Sequence, residues 1–178
     1  MERFSETSAS LLQLREKDLE QSALLDLARL GARLCHLQGK VFLVNSEVRL
    51  ALEAGADGVH LPAESDPSRA RREAAAGGRP DLVIGWSVHD LNEVREAAAR
   101  GVDYVLLAPI FAPLSKAGRE PLGLSLLRRA CAETSLPVIA LGGITPARMD
   151  AVVAAGAAGF AGISWIADEI RELGVSGS

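Results

Sequence analysis

Cysteines and aromatic residues are scarce in this sequence, and long apolar runs are missing. Two cysteines, Cys35 and Cys131, occur among 178 residues, with no CxxC pair and no Cys/His spacing typical of a zinc site. No apolar run approaches the ~20 residues that a membrane-spanning helix needs. Residues 1–10 also lack the apolar core of a signal peptide. These absences predict a cytoplasmic protein with no metal site and no membrane partner.

A strongly basic face is also missing. The net charge is −4, and the one arginine cluster, at positions 69, 71 and 72, is flanked by Glu64, Asp66 and Glu73. A nucleic-acid-binding protein needs a continuous basic surface to neutralise phosphates. The sequence therefore predicts no nucleic-acid partner.

Short apolar runs alternate with amphipathic stretches through most of the chain. The runs are rich in Val, Ile and Leu and predict strands at Leu11–Arg15, Lys40–Asn45, Gly58–Leu61, Leu82–Ser87, Tyr104–Pro109, Pro137–Gly143 and Gly159–Ser164. The amphipathic stretches predict helices at Glu20–Leu37, Glu47–Ala54, Pro67–Ala76, Asp90–Arg100, Leu122–Thr134, Pro146–Ala155 and Trp165–Leu173. Strands that alternate with helices in this way indicate parallel pairing with right-handed crossovers.

A recurring turn refines the prediction of fold class. Gly55, Gly101 and Gly156 each stand between a helix end and a strand, where a left-handed residue is favoured. A barrel and a doubly wound sheet would both use such turns, but no GxGxxG follows the first strand, which disfavours the second. We therefore predict a TIM-type (β/α) barrel of seven strand–helix units that lacks its first strand.

The predicted organisation has three parts. We expect residues 1–10 to form a polar N-terminal segment, residues 11–173 a single barrel domain and residues 174–178 a flexible tail. An open barrel exposes strand edges, and exposed edges favour pairing with another strand. The sequence accordingly predicts either a homodimer or a covered edge.

Functional groups of barrel proteins collect after the carboxyl ends of the strands. Gly142 and Gly143 precede a predicted N-cap and first helical residue at Thr145-Pro146, and Ser164 comes directly before the next helix. Two adjacent loops of this kind favour a phosphate site, although the glycines could serve turn geometry alone. The charged run at 13–18 could bind a ligand or be a solvated loop, and the long loop 109–123 suggests a lid.

The histidines and short polar residues have structural interpretations as well. His60 is expected to be a core histidine, His36 to be exposed, and His89 to be structural. Asn45 and Ser46 are predicted by default to cap the following helix, and Ser87 either caps a helix or touches a ligand.

In order along the chain, these motifs resemble the thiamine phosphate synthase/TenI family. The similar stretches span roughly residues 11–166 and are Gln13-Leu14-Arg15-Glu16-Lys17, Asn45, Gly55-Ala56-Asp57-Gly58-Val59-His60-Leu61, Gly85-x-Ser87-x-His89, Pro109-Ile110-Phe111 with Lys116, Pro121-Leu122-Gly123, Gly142-Gly143-Ile144-Thr145-Pro146 and Ser164. The resemblance implies a (β/α)₈-type fold and a role in thiamine biosynthesis.

The resemblance also implies two small phosphorylated ligands. Synthases of this family join a pyrimidine diphosphate to a thiazole phosphate and release pyrophosphate under Mg²⁺. The resemblance assigns the pyrimidine ligand to Gln13, Arg15, Lys17, Asn45, Ser87 and Lys116, of which Ser87 and Lys116 are also the catalytic candidates. It assigns the thiazole phosphate to Gly142, Gly143, Ile163 and Ser164.

Several positions depart from the synthase pattern. Ser46 stands where the synthases carry the first Mg²⁺-binding aspartate, and residues 62–65, Pro-Ala-Glu-Ser, replace the segment with the second. Glu64 or Asp66 could substitute only from a shifted loop. Asn45-Ser46 and Leu61-Pro62 are instead similar to the TenI branch, whose thiazole tautomerases need a proton-transferring side chain and no metal. Their catalytic histidine is replaced here by Pro109.

Three functions follow from these similarities. The first is a TenI-like protein that binds thiazole phosphate, with tautomerase-type activity and no cofactor. The second is a thiamine phosphate synthase with a rebuilt Mg²⁺ site. The third is a non-catalytic phosphate-ligand binder or regulatory protein.

Overall fold

Seven strands alternate with six α-helices in the part of the chain that the computed structural model describes, residues 9–112 and 120–162. The strands are β1 (Leu11–Leu14), β2 (Val41–Asn45), β3 (Gly58–Leu61), β4 (Val83–Val88), β5 (Tyr104–Leu107), β6 (Val138–Leu141) and β7 (Gly159–Ala161). The helices are α1 (Gln21–His36), α2 (Val48–Ala54), α3 (Pro67–Ala76), α4 (Leu91–Ala97), α5 (Gly123–Glu133) and α6 (Pro146–Ala154).

The strands lie in one sheet in the order in which they occur along the chain, β1 to β7. The pairs β1–β2, β2–β3, β5–β6 and β6–β7 are all parallel. A parallel neighbour that is also the next strand in sequence requires a crossover, and a helix supplies it each time. This succession is the TIM-type β/α fold that the sequence predicts.

The chain divides into two compact units, with the boundary after Gly85 inside β4. The described part of the first unit, residues 9–85, has its core in β2 and β3, where Phe42, Leu43, Val44 and Val59 are completely buried. Strands covered on both faces read as continuous apolar runs rather than alternating ones, which is why these strands are readable from the sequence.

The described part of the second unit, residues 86–112 and 120–162, has its core around β5 and β6. Val105, Leu107, Leu127 and Ala140 are completely buried there. Arg95 of α4 lies 2.7 Å from Glu133 of α5, so an ion pair joins these two neighbouring helices at their surface.

The three predicted glycine turns are present. The φ angles are +69° at Gly55, +77° at Gly101 and +97° at Gly156. The turn at Gly55 is reinforced by Asp57, whose carboxylate accepts hydrogen bonds from Phe42 N at 2.8 Å and from His36 Nε2 at 3.0 Å. The end of α1 and the start of β2 are therefore both fixed to the turn that leads into β3.

A few boundaries differ from the sequence predictions. Helix α4 ends at Ala97 and continues as a 3₁₀ turn at Ala98–Arg100, while β5 ends at Leu107 and β6 at Leu141. The predicted helix Trp165–Leu173 and the end of the predicted strand at Ile163-Ser164 lie outside the described residues. Within residues 9–112 and 120–162, no helix is both long and apolar enough to cross a membrane.

Candidate functional site

A side-chain hydrogen bond joins the ends of β1 and β2. Gln13 Nε2 donates to Asn45 Oδ1 at 2.9 Å, and Asn45 Nδ2 donates to Ser46 Oγ at 2.6 Å. Parallel pairing places Gln13 opposite Leu43, two residues before Asn45, so the two amides are within reach. The structure therefore brings together two of the predicted ligand-binding residues in one polar cluster.

The turn after β1 presents cations to solvent. The carboxylate of Glu16 accepts from its own turn, Lys17 N at 2.8 Å and Asp18 N at 3.1 Å. The hydrogen bonds from Asp18 N and Lys17 N lower the pKa of Glu16 below its usual value. Because Glu16 is occupied by backbone donors, the exposed side chains of Arg15 and Lys17 have no acidic partner among the described residues. These cations can attract an anionic ligand.

The default capping roles of Asn45 and Ser46 are wrong. Helix α2 takes Glu47 as its N-cap residue, and no side chain caps it. Asn45 is engaged with Gln13, and Ser46 adopts φ +70°, a left-handed conformation that is uncommon outside glycine. The Ser46 amide donates to the carbonyl of His60 at 2.8 Å, which fixes this corner against β3.

His60 is a core histidine, as predicted. Its exposed fraction is 4%, and burial lowers its pKa to about 4, so the ring is neutral at physiological pH. The ring lies in β3, whose four residues are all buried. His36 is exposed, also as predicted, and it is paired with Asp57.

A glycine corner follows β6 in the second unit. Gly142 and Gly143 have φ angles of +100° and +60°, and they lead into α6 through Thr145 as N-cap residue and Pro146 as first helical residue. A Cβ atom at Gly142 would lie 2.8 Å from Pro109 Cα, and one at Gly143 would lie 2.5 Å from Ala112 O. Only glycine therefore fits at these two positions.

The glycine corner is bonded to the segment after β5. Ile110 N donates to Leu141 O at 2.8 Å, and Phe111 N donates to Gly142 O at 3.0 Å. The same segment is held from the other side, because Leu122 N and Gly123 N donate to the carbonyls of Pro109 and Ile110 at 2.8 and 3.0 Å. Residues 109–111 and the glycine corner thus form one hydrogen-bonded layer.

His89 is anchored to the end of β5. Its Nδ1 lies 2.8 Å from Ala108 O, and a carbonyl can only accept, so Nδ1 donates this hydrogen bond and Nε2 takes no part in it. The N-cap residue of α4 is Asp90, which accepts from Asn92 N and Glu93 N, so Ser87 does not cap this helix. Ser87 lies half-buried in β4.

Three predicted site residues lie outside the described part of the chain: Lys116, Ile163 and Ser164. Residues 113–119, the central part of the predicted lid, lie outside it as well. Their assignments stay predictions.

Sequence analysis missed Arg148. Its Nη1 donates to Gly143 O at 2.7 Å, and its guanidinium carbon lies 4.6 Å from the centre of the Phe111 ring. An arginine two residues after a proline at a helix start is a weak signal, because solvent-facing arginines are common there.

Seven strands lie in the sheet in the order of the sequence, and polar groups follow the ends of several of them. This arrangement defines a TIM-type α/β protein. Sequence and structure comparisons narrow the class: the family model for thiamine monophosphate synthase matches residues 1–166, and the chain belongs to that family. It is thus a member of a thiamine-biosynthesis family.

Individual relatives agree with this assignment. The chain is 43% identical over 169 residues to the thiamine-phosphate synthase of Bordetella avium, covering 90% of this chain and 76% of the relative. It is 39% identical over 161 residues to that of a Synechococcus, covering 90% of this chain but only 45% of the relative. The structure of thiamine phosphate pyrophosphorylase from Pyrococcus furiosus matches with a TM-score of 0.83 and 28% identity, covering 97% of this chain and 86% of that one.

The residues do not fit the Mg²⁺ ion that the family resemblance implies. Mg²⁺ favours carboxylate oxygens, but Ser46 offers a hydroxyl, and no group of three or more His, Cys, Asp or Glu within residues 9–112 and 120–162 could hold a metal. Asp66, one of the two possible substitutes, is the N-cap of α3 and accepts from Ser68 N at 3.0 Å. We therefore assign no step to a resident ion.

Proposed function

We propose that the chain forms thiamine phosphate by joining a pyrimidine diphosphate to a thiazole phosphate, with release of pyrophosphate. The observation that carries the proposal is the glycine corner, which lies where the family resemblance assigns the thiazole phosphate. The names of the relatives in Bordetella avium and Synechococcus support synthase activity over other reactions of the family.

The glycine corner suits a phosphate for a physical reason. Positive φ angles and the absence of side chains allow a ligand to approach the backbone closely. In the first turn of α6, Pro146 has no N–H and the Arg148 N–H is bonded to Thr145 O, which leaves the Ala147 N–H without a partner inside the helix. The helix dipole adds a favourable field for an anion. Ile163 and Ser164 are proposed to complete this phosphate site.

The pyrimidine diphosphate is proposed to bind at the polar cluster of the first unit. Asn45 and Gln13 supply amide groups that are already oriented by their mutual hydrogen bond. Arg15 and Lys17 are exposed cations that can neutralise a diphosphate. Ser87 and Lys116 keep the role that the family resemblance implies for them, as part of the same proposal.

The test is a coupling reaction with the purified chain. Thiazole phosphate, pyrimidine diphosphate and Mg²⁺ are mixed with the protein, and thiamine phosphate and pyrophosphate are measured by mass spectrometry and a phosphate-release assay. We expect both products in equal amounts, and loss of both in Arg15→Ala. Arg128→Ala is the control, because Arg128 is an exposed arginine on α5. No product at any Mg²⁺ concentration would rule out the synthase function.

A second candidate is a TenI-type tautomerase acting on a thiazole phosphate carboxylate. A reaction without metal is favoured by Ser46, which offers a hydroxyl where the resemblance implies an Mg²⁺-binding aspartate. His89, with Nδ1 fixed on Ala108 O beside Pro109, has a second ring nitrogen, Nε2, that is proposed to move the proton. The test measures, by absorbance, the conversion of the non-aromatic thiazole phosphate carboxylate into its aromatic form. Conversion by the unaltered chain and its loss in His89→Asn would support the tautomerase function. Binding of thiazole phosphate with neither reaction would indicate a non-catalytic binder.

The place of action and assembly are also proposals. We propose a cytoplasmic protein with no nucleic-acid or membrane partner, working as a homodimer or with its edge strand covered. Light scattering of the purified chain at several concentrations tests the dimer.

A further inference from the structure

Arg148 contacts both the glycine corner and the segment after β5. It lies in the first turn of α6, where its own amide donates to Thr145 O at 2.8 Å. From there, Nη1 reaches back to Gly143 O at 2.7 Å while the planar guanidinium covers the Phe111 ring at 4.6 Å. We propose that Arg148 is a positioning residue that holds the phosphate-binding backbone of this corner in its working orientation.

The hydrogen bond fixes one peptide plane. In a trans peptide the carbonyl and the following N–H point in opposite directions. Because Arg148 holds the carbonyl of Gly143, the N–H of Ile144 is turned away from Arg148. Within residues 9–112 and 120–162, neither this N–H nor that of Gly143 has a protein acceptor. These are the donors that the proposed function needs for the thiazole phosphate.

Glycine freedom makes such a device necessary. Gly142 and Gly143 adopt angles that glycine reaches at no steric cost, but glycine also has many other conformations of similar energy. A charge-assisted hydrogen bond to Gly143 O restricts that freedom more strongly than a neutral one. The stacking on Phe111 in turn restricts the arginine, since a guanidinium over an aromatic face is favourable.

The surroundings agree with a positioning role rather than a surface charge. Arg148 is half-buried, whereas Arg128 and Arg129 of α5 are exposed. Phe111 is itself fixed, because its amide donates to Gly142 O at 3.0 Å. Arg148, Phe111 and the glycine corner therefore form a closed ring of contacts.

The experiment measures phosphate affinity and kinetics in matched variants. The inference rests on the proposed function, so binding is measured apart from turnover: inorganic phosphate and thiazole phosphate are titrated by calorimetry. We expect Arg148→Ala to weaken both affinities about tenfold, the loss typical for a charged hydrogen bond. Arg148→Lys should recover part of this, because lysine keeps the charge but cannot stack as a planar group. Arg128→Ala should bind as the unaltered chain does.

Kinetics separate positioning from general destabilisation. If synthesis occurs, KM for thiazole phosphate should rise about tenfold in Arg148→Ala while kcat stays within about twofold. If Arg148→Ala does not fold, the same measurements are made on Arg148→Lys and Phe111→Leu. Weaker phosphate binding in Arg148→Lys than in the unaltered chain then supports the inference.

Three results would overturn the inference. The first is a phosphate affinity within about twofold of that of the unaltered chain in every folded Arg148 variant. The second is a loss of phosphate affinity in Arg128→Ala that equals the loss in Arg148→Ala. The third is that the unaltered chain does not bind phosphate. Phosphate binding without thiamine phosphate formation contradicts the proposed synthase function alone and leaves the role of Arg148 standing.

Discussion

Gln13 and Asn45 are hydrogen-bonded across the first two strands, with Nε2 of one 2.9 Å from Oδ1 of the other. The residues that flank Gln13 and Asn45 in the sequence do not indicate that the two side chains pair. The pairing arises because β1 and β2 run parallel with Leu12 opposite Phe42, so that the polar ends of both strands meet. The contact orders two amides that we propose bind a substrate.

The Gln13–Asn45 bond is expected to stabilise the fold modestly. Gln13→Ala and Asn45→Ala should each lower the free energy of unfolding by about 0.5–1.5 kcal/mol, the usual net value of a hydrogen bond. The double variant should lose less than the sum of the two, because both remove the same interaction. Urea denaturation of the four proteins gives the coupling, and strict additivity would show that the bond contributes nothing.

Gly143 should tolerate no side chain. In Gly143→Ala the new Cβ would meet Ala112 O at 2.5 Å at a φ of +60°, so the corner must move. We expect the free energy of unfolding to fall by about 1–3 kcal/mol and phosphate affinity, measured by calorimetry, to fall more than about tenfold.

Gly78→Ala is the matched control for Gly143→Ala. Gly78 has φ +81°, but nothing lies within 4 Å of the position of its Cβ. It should lose about 1 kcal/mol of stability from the backbone conformation alone and keep phosphate binding. Equal phosphate affinities in the two variants would refute a special role of the corner.

Because His60 is buried, we expect the free energy of unfolding to fall in mild acid. The pKa of His60 is about 4 in the folded chain because of burial, against 6.5 when unfolded. Between these values the unfolded chain binds more protons than the folded one, so stability is complete above pH 6.5 and falls as the pH drops toward 4. The total effect is on the order of 3 kcal/mol.

The measurement is urea denaturation at a series of pH values across this window. His60→Asn should flatten the profile between the two pKa values, whatever its overall stability. An identical pH slope in the variant would assign the acid sensitivity to other groups.

Ser46→Asp should strengthen the response of thiamine phosphate formation to Mg²⁺. The substitution adds a carboxylate at the position where the family resemblance implies one, and the left-handed φ of +70° suits Asp better than Ser. We expect the Mg²⁺ concentration for half-maximal thiamine phosphate formation to fall about tenfold, as for a charged ligand gained. Ser46→Asn has the same shape without the charge and should leave the Mg²⁺ dependence unchanged. An equal change of the Mg²⁺ dependence in both variants would count against a role in metal binding for position 46.

Local chemistry explains which elements were predictable. The boundaries of α3 match the prediction because Asp66 and Pro67 mark its start and Gly77 its end. Strand β3 matches because a glycine turn precedes it and Pro62 follows it. Helix α4 was predicted too long, because Ala98, Ala99 and Arg100 favour any helical conformation and their sequence does not distinguish a 3₁₀ turn from an α-helix.

The candidate site was predictable only in part. Glycines and a Thr-Pro pair mark the corner after β6, because backbone angles there restrict residue type. The contacts of Arg148 with Gly143 O and Phe111 depend on which way a long side chain turns, and many rotamers are compatible with the same sequence. The left-handed angle of Ser46 was missed for a similar reason, since serine gives no conformational signal of that kind.

The turn at Gly55 has a consequence for chemical synthesis of the chain. A left-handed residue at φ +69° and ψ +30° is the mirror image of an ordinary helical one, and this glycine is exposed. D-Alanine prefers these angles, whereas L-alanine is strained by them. A semisynthetic protein with D-alanine at position 55 should be more stable by about 0.4–1 kcal/mol, because its unfolded chain has fewer conformations to lose. The turn at Gly55 therefore restricts the handedness of the residue at this position, rather than its size or polarity.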